Sequence, residues 1–444
     1  MLKLAWVILM KKKDWIYLSI IMLVTTLIKV WFIINIPLEP VYDFETLYKV
    51  AVNLFNGNGF TLNGYQWGFQ SYGYPLILSI FFRLVNNSSI FTAKVFNVII
   101  STLTLPVLFL TFKKIFKSKR ISYILFTVIA FLPNMITYNN VLGTEILSVF
   151  LLSIVICLFV HMNAKNKKVN LFLQGLTSGI LSLVKPFFMA YPVVILWVLF
   201  ISKKNIKDLG KKAIFLLTGF LFVLVPSIIK NYKQFGEFIP ISYNGGFTLY
   251  INNNSQNSTG SWMNASKVEH SEEFEEKLRD VGYELMVDAK TEKEQCLRNP
   301  KASGVFKDEA IKWILNNPIE FLELGLLRIK NVFFSGANDI QLWSFEASTI
   351  NKFSVEEHRM FKVFIGVADS LICTLSVAFI VLLIANIKNI FLEKTNINKL
   401  ITMWTLIFFG AVYFVVEGQA RYNFPTLFLL VICIGFIAER LEIK

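Results

Sequence analysis

Two carboxylates two residues apart, Asp43 and Glu45, open a polar stretch that follows the first long apolar run of the chain. Further along stand Glu145, Lys185, Lys230, Glu417 and Arg421, each at the end of another apolar run. A carboxylate at the rim of an apolar wall, partly stripped of water, can serve as a general base. Lys185, Lys230 and Arg421 are cations of the kind that holds a phosphate group. Positive charge at that level also stabilises a phosphate that departs with its electrons. Taken singly, each of these charges reads equally well as a helix end or a snorkelling side chain, because a charge costs ~2.5–3.5 kcal/mol only at mid-membrane. Taken together they read less well that way, since segments far apart in sequence deliver acids and bases to one face.

That convergence depends on the elements that carry the charges. The chain has 444 residues, 55% of them hydrophobic and only 17% charged, with a mean hydropathy of +0.56. A soluble chain would carry nearer ~25% charged residues. The apolar residues come in blocks of about 17–25, the length that crosses a bilayer as a helix. The net charge of +14 would suggest nucleic acid in a soluble protein. Here the lysines cluster in short tracts between apolar blocks, so topology explains them and no nucleic-acid partner is expected. Cys157, Cys373 and Cys433 lie within apolar segments and Cys296 stands alone in a polar one, so no disulfide framework is expected. His161, His270 and His358 are scattered, which argues against a His/Cys metal site.

Lys11, Lys12 and Lys13 precede an apolar run from about Ile16 to Ile36 that reads as a signal anchor. A loop from Pro37 follows, with an amphipathic helix expected over Phe44–Phe55 and an interfacial one over Tyr74–Val85. Further spans are expected near Lys94–Phe112, up to Tyr138, from Glu145, over Leu171–Ser202 split at Lys185-Pro186, and over Ala213–Ile229. After a long polar insert, three more are expected near Phe361–Ile387, Lys399–Val416 and Tyr422–Ile437. Within the insert, Asn244–Ser261 reads as loop, Glu269–Asp308 as charged helix, and Lys307–Phe334 as a surface helix broken at Asn317-Pro318. The lysine tracts around Lys113–Arg120, Lys165–Lys168, Lys203–Lys212 and Lys388–Lys399 then all fall on one side, and about ten spans close the alternation with both termini in the cytoplasm. Asp43, Glu45, Glu145, Lys185, Lys230, Glu417 and Arg421 all fall on the other side. The combination suits transfer of a sugar from a lipid phosphate to an acceptor hydroxyl or amine.

The segment Tyr42-Asp43-Phe44-Glu45-Thr46-Leu47-Tyr48, followed by Ala51-Val52-Asn53-Leu54-Phe55-Asn56-Gly57-Asn58-Gly59, resembles the first external loop of bacterial GT-C glycosyltransferases. It is most similar to the superfamily of protein O-mannosyltransferases and aminoarabinose lipid A transferases. Tyr72-Gly73-Tyr74-Pro75-Leu76, Thr144-Glu145, Lys185-Pro186, Asn231-Tyr232, Asn244-Gly245-Gly246, Asn317-Pro318 and Arg421-Tyr422 with Pro425 match further motifs in order, over roughly residues 15 to 435. The resemblance implies that Asp43 lies at the catalytic centre and activates the acceptor. It also implies a polyprenyl-phosphate sugar as donor, bound through Lys185, Lys230, Arg421 and Tyr422, with Tyr74 and Glu145 lining the same site. The family usually carries Arg where this chain has Lys185 and Lys230, so the bidentate fork is lost there and Arg421 is the best phosphate ligand. Glu145 is expected to orient a cation. Asp43 is favoured over Glu45 as base, because two residues on a helix point about 200° apart. A divalent cation is admitted but not required, since some GT-C enzymes bind one and the mannosyltransferase-like ones do without.

The expected protein is an all-α polytopic membrane protein, a GT-C-type helical bundle with external interfacial helices and loops. Its expected parts are an N-terminal bundle over 1–229 with a catalytic external loop at 37–73, an external insert at 230–360, and C-terminal spans at 361–444. The expected function is an integral membrane glycosyltransferase of the plasma membrane, working on the external face. It would move a hexose or pentose from a polyprenyl-phosphate donor to a glycan, lipid or protein, by inversion with Asp43 as base. Membrane lipids are the other expected partners. A lipid-linked glycan flippase or transporter would instead show charges at mid-membrane and repeated halves. A glycan polymerase or ligase would not need an essential acid. Trp67, Trp262 and Trp343 suit stacking on sugar rings, but the interfacial aromatic belt is the simpler reading.

Overall fold

The computed structural model describes residues 11–163, 165–285, 295–296, 299–335, 337–391 and 396–442. The expectations for Lys394, for both chain ends and for part of Glu269–Asp308 lie outside these residues. Helix α1 (Lys12–Asn35) is the first apolar run. Its outward stripe of Ile16, Ile20, Leu23, Leu27, Trp31 and Ile34 is exposed, while Asp14, Thr25 and Lys29 point inward and are buried. An apolar exterior around a partly polar interior is what lipid as solvent selects. The expected amphipathic helix follows as α2 (Tyr42–Phe55), then a short hairpin of β1 (Thr61–Leu62) and β2 (Tyr65–Gln66), then the expected interfacial helix as α3 (Gly73–Val85).

The next elements are α4 (Ile90–Ile115), α5 (Lys119–Ala130), α6 (Pro133–Thr137), α7 (Glu145–Val160), α8 (Lys167–Val184), α9 (Tyr191–Lys203) and α10 (Ile206–Phe235). Pro133 makes α5 and α6 a bent pair, turned by 52°. A 3-10 turn at Pro186–Ala190 separates α8 from α9, where the sequence places its split. The insert contains α11 (Gly245–Asn252), α12 (Glu272–Asp280), α13 (Ala302–Asn316), α14 (Pro318–Phe333), α15 (Asn338–Ser344) and α16 (Ala347–Ile350). The C-terminal part is α17 (Val355–Asn386), α18 (Ile397–Val415), a 3-10 turn at Ala420–Thr426, and α19 (Leu427–Glu442).

Each of the ten expected spanning segments is thus helical. Among the described residues six helices are long and apolar enough to cross a membrane by themselves, seven if the bent pair is one span. Helices α7, α8 and α9, of 16, 18 and 13 residues, are too short or too polar to cross by themselves. Of the three, α7 is buried on nearly every side, while α8 and α9 keep exposed apolar residues at Val169, Val193 and Trp197.

Among the described residues the insert departs from expectation where α12 stops at Asp280, short of one helix over Glu269–Asp308, and again at Asn244–Ser261. Asn244–Ser261 is not all loop, because Gly245–Asn252 is helical. Burial explains the difference: Phe247 and Tyr250 lie 5.2 and 5.1 Å from the ring of Phe306 on α13. Tertiary packing of this apolar face outweighs the weak helix propensity of Gly and Asn. Tyr250, Phe274, Leu278, Tyr283 and Phe306 form a small core of their own, while Val332, Phe333, Ile340 and Phe345 join the core of the bundle.

Candidate functional site

Asp43 sits in the first turn of α2, where its negative charge complements the helix N-terminus. The turn into that helix is made by Tyr42 at a φ of +50°, an uncommon backbone for a residue with a side chain. Asp43 Oδ1 accepts a hydrogen bond of 2.7 Å from Gln70 Nε2. Its other oxygen, Oδ2, lies 3.6 Å from Arg421 Nη2. That separation makes an ion pair but exceeds a good hydrogen bond, so Oδ2 is left able to accept another proton donor. The Asp43 side chain is 52% exposed, which is less desolvated than its place at an apolar rim suggests.

Arg421 is delivered by the 3-10 turn that precedes α19. Its guanidinium carbon lies 5.2 Å from the Phe44 ring centroid, 5.1 Å from Trp343 and 5.3 Å from Tyr422. Three rings surround the guanidinium, and its Nη2 faces Asp43. Arg421 Nε is buried and takes no acceptor. A cation held in place with a donor to spare is suited to an incoming anion.

Lys185 precedes Pro186, and the proline drives it out of helical backbone to φ −134°, ψ 108°. Its Nζ meets Glu145 Oε1 at 3.3 Å and lies 5.7 Å from the Tyr422 ring. Glu145 opens α7, is 3% exposed, and its Oε2 has no hydrogen-bond partner. Tyr422 stacks on Tyr413 at 5.4 Å and donates to Glu417 Oε2 at 2.8 Å. Burial pushes the Glu417 carboxyl up, and Arg421 opposes that push. Asp43, Glu145, Lys185, Arg421 and Tyr422 therefore meet from α2, α7, the α8–α9 break and the turn before α19, with Glu417 bonded to Tyr422 from just ahead of that turn.

Three sequence-predicted residues do not join them. Glu45 turns away and pairs with Lys49 at 2.5 Å on the exposed side of α2. Lys230 is held between Phe60 and Tyr72, 4.2 Å from each ring centroid. Its Nζ also donates to Asn231 Oδ1 at 3.1 Å. Tyr74 is fully buried and its hydroxyl donates to Asn97 Oδ1 at 3.3 Å. Trp343, read as a belt residue, instead forms a shelf under Arg421, whereas Trp67 is in a core and Trp262 is exposed.

Sequence reasoning missed Gln70 and Asp339. Gln70 lies just ahead of the Tyr72-Gly73-Tyr74 motif, which was its only signal. Asp339 is 1% exposed and accepts from Tyr138 at 2.6 Å and Asn134 at 3.4 Å. It lies one turn before Trp343 on α15, and Tyr138 stacks on Phe424 at 4.6 Å, beside Arg421 in sequence. No pattern in the sequence ties these residues to the site. Among the described residues no group of three or more His, Cys, Asp or Glu side chains is arranged to hold a metal ion.

Residues 70–229 match the family of dolichyl-phosphate-mannose-protein mannosyltransferases. The whole chain has a GT-C-type fold, similar to three solved structures of an oligosaccharyltransferase from Archaeoglobus fulgidus. One, AglB in complex with an inhibitory peptide and a dolichol-phosphate, is 13% identical with a TM-score of 0.52, over 97% of this chain and 51% of that one. The apo form is 13% identical with a TM-score of 0.54, over 97% and 51%. The form tethered to an acceptor peptide containing the NVT sequon is 15% identical with a TM-score of 0.52, over 96% and 50%. The chain spans about half the length of these structures. No curated protein matches it.

Proposed function

We propose that the protein is a membrane glycosyltransferase that moves a sugar from a polyprenyl-phosphate donor to an acceptor on the external face of the plasma membrane. The observation that carries this reading is the facing of Asp43 and Arg421 at 3.6 Å, with Lys185 and Glu145 paired beside them. Arg421, with its unused Nε donor, and Lys185 hold the donor phosphate and stabilise it as it leaves. Asp43 accepts the proton of the acceptor through Oδ2 while Gln70 holds Oδ1. The acceptor oxygen or nitrogen attacks the anomeric carbon from the face opposite the phosphate, so the configuration inverts. Glu145 orients Lys185, and Glu417 orients Arg421 and Tyr422. The GT-C-type fold and the family match at residues 70–229 support the same reading.

The test is release of free polyprenyl phosphate from a panel of polyprenyl-phosphate sugars by the protein in proteoliposomes. Asp43→Asn is expected to lower turnover by ~10² or more. Turnover that survives the substitution removes Asp43 from the chemistry.

A further inference from the structure

A cavity of about 250 Å³ adjoins this site, and Phe44, Trp343 and Phe345 are among its walls. Phe44 and Trp343 also carry Arg421 over their rings, and Arg421 itself does not line the cavity. The two rings thus form a partition between the cavity and the Asp43–Arg421 pair. The polar side chains along the cavity are Glu39, Glu346 and Asn140, besides the Trp343 indole. Glu346 Oε1 accepts the backbone N–H of Glu39 at 2.8 Å, which brings the two acidic residues to one end.

Asn140 supplies an independent observation. It is 1% exposed, and its Nδ2 donates to Ile36 O at 3.0 Å and Ser344 O at 3.2 Å. Both carbonyls fix the amide orientation, so Oδ1 is the atom left over, and it is buried with no hydrogen-bond partner. Glu39 and Glu346 thus give this wall negative charge, and Asn140 holds an unpartnered carbonyl oxygen buried just behind it. Lys94, buried on α4, shares the field of both carboxylates and leaves an excess of negative charge. A lining of acceptors, aromatic faces and net negative charge is complementary to a primary ammonium, which has three donors and no acceptor.

We propose that this cavity is an acceptor subsite that recognises a primary ammonium group, carried by an amino sugar or by an ethanolamine lipid headgroup. It rests on the transferase reading for its role as an acceptor subsite, but its binding can be measured without a donor. N-acetylglucosamine lacks that charge and carries an acetyl group in its place. Calorimetry on the full chain in detergent should give glucosamine about tenfold the affinity of its acetylated form. The preference should vanish in Glu39→Gln/Glu346→Gln and weaken in Glu39→Gln alone, whose exposed position spares the fold. In nanodiscs, glucosamine binding abolished by phosphatidylethanolamine assigns the site to the lipid headgroup, and binding that persists assigns it to a soluble acceptor. No binding, equal affinity for the two sugars, or a preference untouched by the double substitution would overturn the proposal. Those results would leave the transferase reading standing, whereas unchanged turnover in Asp43→Asn with the amine preference intact would remove the base assignment and keep the subsite.

Discussion

Arg421 shows how much depends on the shape of a cation as well as its charge. Three rings surround the guanidinium, and a lysine at that position has neither the planar delocalised group nor its spread of donors. Arg421→Lys is therefore expected to keep the charge yet lower donor turnover by about 10², the loss typical of one removed transition-state donor. Glu45 offers the matching control. Its pair with Lys49 lies on the exposed side of α2, where such pairs contribute ~0–1 kcal/mol. Glu45→Gln should leave turnover at the wild-type level, and a loss comparable to that of Asp43→Asn would move the base from Asp43 to Glu45.

At the scale of elements, the site depends on close helix packing behind it. A Cβ on Gly175 of α8 would stand 1.9 Å from the Leu216 carbonyl of α10, and one on Gly219 of α10 would stand 2.1 Å from the Phe172 carbonyl of α8. The two backbones touch reciprocally, as small residues allow in membrane bundles. Gly175→Leu should separate α8 from α10 and lower thermal stability in detergent, with a drop of at least ~1–3 kcal/mol from overpacking. Because Lys185 directly follows the end of α8, donor affinity should fall with it. Helix α15 makes a second prediction. Burial pushes the Asp339 carboxyl up to about 6, from an ordinary value of 3.8. The fold thus holds this proton more tightly than the unfolded chain does. Its contribution to stability is complete below the ordinary value and is lost as pH rises through about 6. Asp339→Asn should flatten the melting temperature between pH 4 and 7, and a slope identical to that of the wild type would show that Asp339 does not titrate there.

For the whole molecule the proposal places the β1–β2 hairpin on the external side and the Lys113–Arg120 tract in the cytoplasm. Cys157, Cys296 and Cys433 are buried and Cys373 is half-buried, so background labelling should be low. Asn58→Cys, on an exposed turn, should react with a membrane-impermeant maleimide in intact cells. Lys119→Cys, also exposed, should react only after permeabilisation. The reverse pattern would invert the orientation and put the Asp43 cluster in the cytoplasm.

The sequence by itself determined the helical segments, because a run of about 20 apolar residues has one stable form in lipid. It also determined the break at Lys185-Pro186, since a proline restricts the residue before it wherever that residue lies. The opposite directions of Asp43 and Glu45 followed from helical periodicity alone. Local rules of this kind need no knowledge of neighbours. Which charges meet is a different matter. Lys185 and Lys230 look alike in sequence, each at the end of a span, yet one faces Glu145 and the other is enclosed by Phe60 and Tyr72. The helix at Gly245–Asn252, the shelf of Trp343 and the Asp339–Tyr138 bond likewise come from contacts between residues far apart in the chain. A side chain's partner in these cases is set by how the helices pack, and no local pattern encodes that packing.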